Sequence, residues 1–349
     1  MTTIPSRGAV ALACLFAGLP AAQAASYHLV DLGESSQVYA INAKGEVAGA
    51  IPGSSPDGVA AIYANGGWTT KGDATHRSVA YGIDRAGNAV GEKWGGQKNT
   101  TLMYYPRGKQ DVAIPLPNGA LYGESLYGEY LSPGGISPDG TTVVGTFIDP
   151  LSSGTDQCFT WTPGAATSTA LAIPAPYVGC QAYGVNDAGE IVGSLRNVEN
   201  GVPFVYSGGV FTTFPQEQAG VLLAVNAKGH ASGTSAINDE AMQWNGKTLR
   251  DIGARRGAVI MKTGNAINDH DDVVGSGFSF PNYTMVLRTG GQVVDLVPLI
   301  DDTTGWNFSD WGTPTGINDD GTILGWGAKD DGAGHWVPHA FLLTPIVVK

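Results

Sequence analysis

Tyr39-Ala40-Ile41-Asn42-Ala43-Lys44-Gly45-Glu46-Val47-Ala48-Gly49 is the stretch on which the reading of this chain turns. Two short apolar runs flank a polar turn. Asn42 opens the turn with a side chain able to bond backbone two residues on. Gly45, three residues later, supplies the left-handed residue that follows a type I turn in a common hairpin connection. The stretch therefore reads as a β-hairpin closed by Gly49.

The same phrase returns six more times. It appears at Tyr81-Gly82-Ile83-Asp84 to Gly91, Gly134-Gly135-Ile136-Ser137 to Gly145, and Tyr183-Gly184-Val185-Asn186 to Gly193. Leu223-Ala224-Val225-Asn226 to Gly233, Asn265-Ala266-Ile267-Asn268 to Gly275 and Thr315-Gly316-Ile317-Asn318 to Gly325 complete the set. The sixth copy has Asp271 where the others have the turn glycine, and Asp tolerates that backbone region better than most residues. The third copy carries one extra residue before Gly145, which reads as a bulge. After each hairpin comes a third apolar run, such as Ala60 to Tyr63, Cys158 to Trp161 or Ala340 to Leu343. A tight turn and a fourth run ending in Asp and an apolar residue then follow, clearest at Asp251-Ile252 and Asp295-Leu296. Four strands per repeat, with closing glycines 40 to 54 residues apart, is the size of a propeller blade.

The expected fold is thus all-β: a seven-bladed β-propeller with four-stranded blades. Tyr27 to Gly33 reads as a fourth strand with no blade before it, while the seventh repeat stops after its third strand. Joining the two would close the ring and remove its exposed edges.

Composition agrees. Of 349 residues, 51 are Gly and 20 are Pro, and only 14% are charged, which argues against helical bundles and coiled coils. A hydrophobic content of 42% argues against disorder. Residues 1–24 read as a signal peptide: Arg7, an apolar run from Gly8 to Leu19, then Ala22-Gln23-Ala24 as the cleavage signal. Residues 25–349 then form a single propeller domain, secreted or periplasmic, and expected to be a monomer. The chain carries 19 Lys and Arg against 31 Asp and Glu, a balance that repels phosphate backbones and so excludes nucleic acid. No apolar run is long enough for a membrane span. Cys158 and Cys180 remain after processing, and an even count in an exported chain reads as a disulfide, with two free buried thiols as the alternative.

The repeated Gly-Ile-Asn-x-x-Gly-x-x-x-Gly phrase, followed in the last copy by His339-Ala340-Phe341-Leu342-Leu343-Thr344-Pro345, resembles the bacterial extracellular HAF-repeat family. The resemblance covers essentially the whole mature chain. It implies an exported repeat protein and brings no agreed activity and no catalytic residues. Ile136-Ser137-Pro138-Asp139-Gly140 alone also looks like the repeats of TolB-type propellers.

Function is less legible. The 1–2 and 3–4 turns are short, while the 2–3 loops and the links between blades are long and variable. In an up-and-down propeller both long kinds share one face, and variable loops on a rigid scaffold are where binding lives. Candidate binding residues on that face are His76 and Arg77; Tyr122, Glu124, Tyr127, Glu129 and Tyr130; Trp306, Asp310 and Trp311; and His335 and Trp336. Flat rings stack on sugars and carboxylates accept hydroxyl protons, so the expected partner is a glycan, or an envelope or extracellular protein. No Gly-x-Ser-x-Gly elbow, His-Glu-x-x-His or P-loop is present, and no catalytic residue is assigned. The alternative is a polysaccharide hydrolase or lyase using the acidic residues or loop histidines of the same face. Asn268 to Asp272 lacks the spacing of a calcium loop, so neither a metal nor a cofactor is expected.

Overall fold

The computed structural model describes residues 26–34, 37–53, 58–72, 75–95, 100–117, 135–148, 155–197, 201–215, 218–253 and 259–346. These form seven antiparallel sheets, each one blade, arranged as a seven-bladed β-propeller without α-helix among the described residues. Blade 1 shows the pattern, with strands Gln37–Ile41, Val47–Ile51, Val59–Ala64 and Gly67–Thr70 paired in that order. Its first three strands are mostly buried, and the fourth is largely exposed. Inner strands are covered on both faces by neighbouring blades, so they read as continuous apolar runs; the outer strand is wetted.

The ring closes as the sequence predicts. Tyr27–Glu34 pairs antiparallel with Trp336–Pro345 and becomes the outer strand of blade 7. Leu29 sits opposite Leu343 and Asp31 opposite Phe341. Apolar clusters fill all seven joints between blades, and the joints between blades 1 and 2 and between blades 4 and 5 carry a second, smaller one. The core is therefore seven wedges around an axis, not one central mass. Cys158 and Cys180 form a disulfide that staples the third strand of blade 3 to the first strand of blade 4.

The seven turns match the expected geometry and add a second function for their asparagines. Gly45, Gly87, Gly140, Gly189, Gly229 and Gly321 all have φ between 73° and 84°, and Asp271 takes 67°. Asn42 Oδ1 accepts from the N–H groups of Lys44 and Glu46, as an Asx turn should. Its amide, however, donates to the carbonyl of Asp84, the equivalent residue in the next blade, at 2.9 Å. Asn186 donates likewise to Asn226 O, Asn226 to Asn268 O, Asn268 to Asn318 O and Asn318 back to Asn42 O. Five joints of the ring are thus laced by a buried side-chain amide. The other two joints fall where the phrase has Asp84 or Ser137, which lack an amide to donate. There backbone N–H groups take over, from Arg85 to Pro138 O and from Asp139 to Asp187 Oδ1.

Two departures in the phrase find their reasons here. Asp271 spends the backbone cost of a left-handed residue, roughly 1–2 kcal/mol, and reaches back to the preceding turn. Its Oδ1 accepts from the Asn226 amide and faces His230 Nδ1 at 2.8 Å. Blades 1 and 4 supply that acceptor from within, through Glu46 and Glu190; blade 5 has His230 at that position and borrows it. Burial pushes the Asp271 carboxyl up, but bonds from His230 and Asn226 outweigh it and hold it below the usual carboxylate range. The extra residue of the third copy lengthens the turn, with Ser137 N–H reaching Thr142 O where Asn42 N–H reaches Glu46 O. Register shifts lie instead in the first strands of blades 1, 2, 4, 5 and 7, one residue from the apolar position that precedes the turn.

Asn226→Asp breaks the lacing bond and the bond to Asp271. The Asx-turn acceptor is kept, the donor to Asn268 O is lost, and a carboxylate is placed against Asp271. A buried unpaired carbonyl and a like-charge contact together predict a loss of about 2–3 kcal/mol in chemical denaturation. Asn226→Ser, which removes the amide without adding charge, is expected to lose less.

Candidate functional site

The up-and-down topology puts the seven repeated turns on one face and the 2–3 loops and inter-blade links on the other. The sequence candidates divide sharply on that second face. Tyr122, Glu124, Tyr127, Glu129 and Tyr130 lie in 118–134, outside the described residues. His76 and Arg77 lead into the first strand of blade 2, where His76 Nδ1 sits 2.9 Å from the Thr75 hydroxyl and the Arg77 guanidinium lies 4.2 Å over the Trp94 ring. Blade 1 separates them from blade 7, which carries all the other described candidates.

Within blade 7 the candidates have different work. Trp306 is half-buried and stacks on Phe308 with centroids 5.2 Å apart and planes 10° from parallel. Its edges meet Phe341 and His339, and Lys329 Nζ lies 5.7 Å from its centroid. Trp306 therefore packs its loop onto the blade. Asp310 ties its own loop, accepting from the Asn307 amide at 3.1 Å. The loop from Asp330 to His335 is braced by its two aspartates. Asp330 Oδ1 accepts from Gly332 and Gly334 N–H, and Asp331 Oδ1 accepts from Ala333 and His335 N–H. Hydrogen bonds from Ala333 N–H and the His335 ring hold the Asp331 carboxyl below the usual range. Trp311 and Trp336 remain, 48% and 49% exposed. Trp336 pairs with Asp330 and Trp306 with Lys329, so one strand end carries an aromatic ring on each side.

Blade 6 adds residues the sequence reading passed over. Its second and third strands meet in a hairpin with Phe280-Pro281 at the tip. Phe280 is 89% exposed, and Phe278 and Tyr283 meet edge to face beneath it with centroids 5.4 Å apart. Phe278-Ser279-Phe280-Pro281-Asn282-Tyr283 carried a signal: three aromatics beside turn-forming Pro and Asn have no core to fill. Phe278, Phe280, Tyr283, Trp311 and Trp336 are the exposed aromatic side chains among the described residues, and all five lie on the long-loop face of two adjacent blades.

The opposite face has a site of its own on the axis. The seven turns surround a cavity of about 180 Å³. The β-branched residue before each turn lines its wall, Ile41, Ile83, Ile136, Val185, Val225, Ile267 and Ile317, together with the turn asparagines Asn42, Asn186, Asn226, Asn268 and Asn318. Its rim is the residue after the Asn, Asp or Ser that opens each turn, namely Ala43, Arg85, Pro138, Asp187, Ala227, Asp269 and Asp319. Arg85 pairs with Asp187 at 2.6 Å. Among the described residues, no group of three His, Cys, Asp or Glu is placed to hold a metal ion, and no helix is long and apolar enough to cross a membrane.

No family model matches this chain, and no curated protein matches its sequence. Solved structures are similar to it. A puromycin-hydrolysing peptidase from Mycobacterium tuberculosis aligns over 88% of this chain and 50% of its own, at 13% identity and TM-score 0.54. A post-proline cleaving enzyme from Rickettsia typhi aligns over 91% of this chain and 58% of its own, at 11% identity and TM-score 0.51. The chain thus spans between half and three fifths of those two proteins. At such identities the likeness shows the propeller fold and nothing of the chemistry.

Proposed function

We propose that this propeller is an exported, non-catalytic binding protein that takes a glycan on its long-loop face, across blades 6 and 7. One observation carries the reading: the five exposed aromatic side chains gather on two neighbouring blades of that face. Exposed aromatics are costly to leave in water and are the side chains that dominate recognition surfaces. Rings offer flat apolar faces to sugars, and the braced loop from Asp330 to His335 holds Trp336 on a preformed platform, which lowers the ordering cost of binding. The Cys158–Cys180 disulfide supports an oxidising compartment. The turn phrase and His339-Ala340-Phe341 support placing the chain with extracellular HAF-repeat proteins.

Glycan-array binding by residues 25–349 tests the reading. Phe280→Ala, Trp311→Ala and Trp336→Ala combined are expected to weaken binding by about thirtyfold or more, about 2 kcal/mol in total, with the melting temperature unchanged. Trp306→Ala is expected to behave oppositely, costing about 3 kcal/mol of stability as a packed aromatic. A triple variant that binds as well as the parent overturns the assignment.

A further inference from the structure

We propose that the axial cavity on the turn face is a second binding site, one that takes the alkylammonium group of an aliphatic amine. The wall and the rim ask for different halves of such a ligand. The ring of Ile and Val side chains is apolar and offers no hydrogen bond. At about 180 Å³ the cavity is of the order of the roughly 150 Å³ apolar cavity that accepts benzene, so a short alkyl chain fits it.

The polar groups around the rim are nearly all spent. The amides of Asn42, Asn186, Asn226, Asn268 and Asn318 lace the blades together. Asp187 gives one oxygen to Asp139 N–H and the other to Arg85, so that pair carries no net charge. Asp269 and Asp319 differ. They sit side by side on blades 6 and 7, and each commits only Oδ1, to Ala227 N–H and to Asp269 N–H, both at 2.8 Å. Neither carboxylate has a cationic partner among the described residues. The mouth therefore carries two negative charges above an apolar wall. An anion is repelled, and a neutral alkyl group gains from the wall alone. An alkylammonium gains from both, with its charge between the two carboxylates.

Pentan-1-amine tests this, titrated calorimetrically into residues 25–349, with pentan-1-ol and pentanoate as its neutral and anionic counterparts. One pentan-1-amine per chain is expected to bind, with no saturable heat from the other two, and affinity should fall several-fold when salt rises from about 0.05 M to about 0.5 M. Asp269→Asn with Asp319→Asn keeps both N–H acceptors, so the turns hold. That variant should lose at least tenfold in affinity, about 1.4 kcal/mol. Ala227→Trp, which narrows the mouth without touching a charge, should also abolish binding. Trp311→Ala with Trp336→Ala should bind pentan-1-amine as the parent does, separating this site from cation–π contacts on the other face. No saturable binding up to about 10 mM, equal binding of pentan-1-ol, or unchanged affinity in both cavity variants overturns the proposal.

Discussion

Deleting residues 26–34 is expected to cost the chain its cooperative, monomeric fold. The deleted segment is the outer strand of blade 7, continuous in the chain with blade 1 and hydrogen-bonded to Trp336–Pro345, so it ties the start of the ring to its end. Leu32 is buried in the joint between blades 7 and 1, and Val30 packs against the same cluster, while Tyr27 and Leu29 pack on the joint between blades 6 and 7. At roughly 1.5–3 kcal/mol for each fully buried apolar side chain and less for those half-buried, the loss is about 5 kcal/mol, or a fall in melting temperature of about seven degrees in a chain of this length. The deletion also bares the edge of Trp336–Pro345, a long strand that would then pair between molecules. Size-exclusion chromatography and thermal melts of residues 25–349 and 35–349 check this. A truncated chain that stays monomeric with an unchanged melt would show that the clasp is dispensable.

The clasp also has an acid-sensitive contact. Asp31 receives hydrogen bonds from Lys329, His339 and the Gly33 N–H. Burial pushes its carboxyl up, but these bonds outweigh burial and hold it below the usual carboxylate range. A folded value below the unfolded one, which is about 3.9, means the stabilisation is complete above pH about 4 and is lost as pH falls through the folded value. Asp31→Asn should therefore lower the melting temperature at pH 7 and narrow the gap to the parent near pH 3.

Gly193→Ala is expected to be among the most damaging single substitutions, at about 3–5 kcal/mol. A Cβ at Gly193 would lie 2.0 Å from the carbonyl oxygen of Gln181 and 2.8 Å from the Phe204 ring. The first strand shifts register between Ala182 and Gly184, and Gln181 O is pressed against the second strand where only a hydrogen fits. Gly49, Gly91 and Gly233 meet first-strand carbonyls in the same way, and Gly275 meets that of Thr263, between the two strand pieces Val259–Met261 and Ala266–Ile267. Gly189, four residues earlier in the same phrase, is glycine for another reason: φ is 74° and nothing lies within 4 Å of its would-be Cβ. Gly189→Ala should cost only about 1–2 kcal/mol, the ordinary penalty of a left-handed L-residue. Urea unfolding of the two variants measures the difference directly. Equal losses would show that the close approach relaxes.

Both glycines stand out equally in the sequence, and only one of the two reasons could be read there. The turn glycine answers to its own backbone angles, and these follow from a local pattern of Asx turn and left-handed residue. The closing glycine answers to a carbonyl on another strand, whose position is set by the bulge. The asparagines divide in the same way. Their Asx bonds are local and were legible; their amides reach residues 40 or more positions away, and in one case from Asn318 to Asn42, so no window of sequence displays them.

What the sequence determined by itself is the architecture: seven hairpin phrases, four strands to a blade, and an N-terminal strand to close the ring. Strand alternation, turn chemistry and repetition are properties of neighbours along the chain. Only the tertiary structure decided which aromatics pack and which face solvent. Trp306 and Trp336 look alike in the sequence, yet one is stacked on Phe308 and the other stands free at a strand end. It also left Phe280 exposed at the tip of its hairpin and gathered residues from every turn around an axial cavity. A ring places seven distant segments at one centre, and what those segments make together is written in none of them.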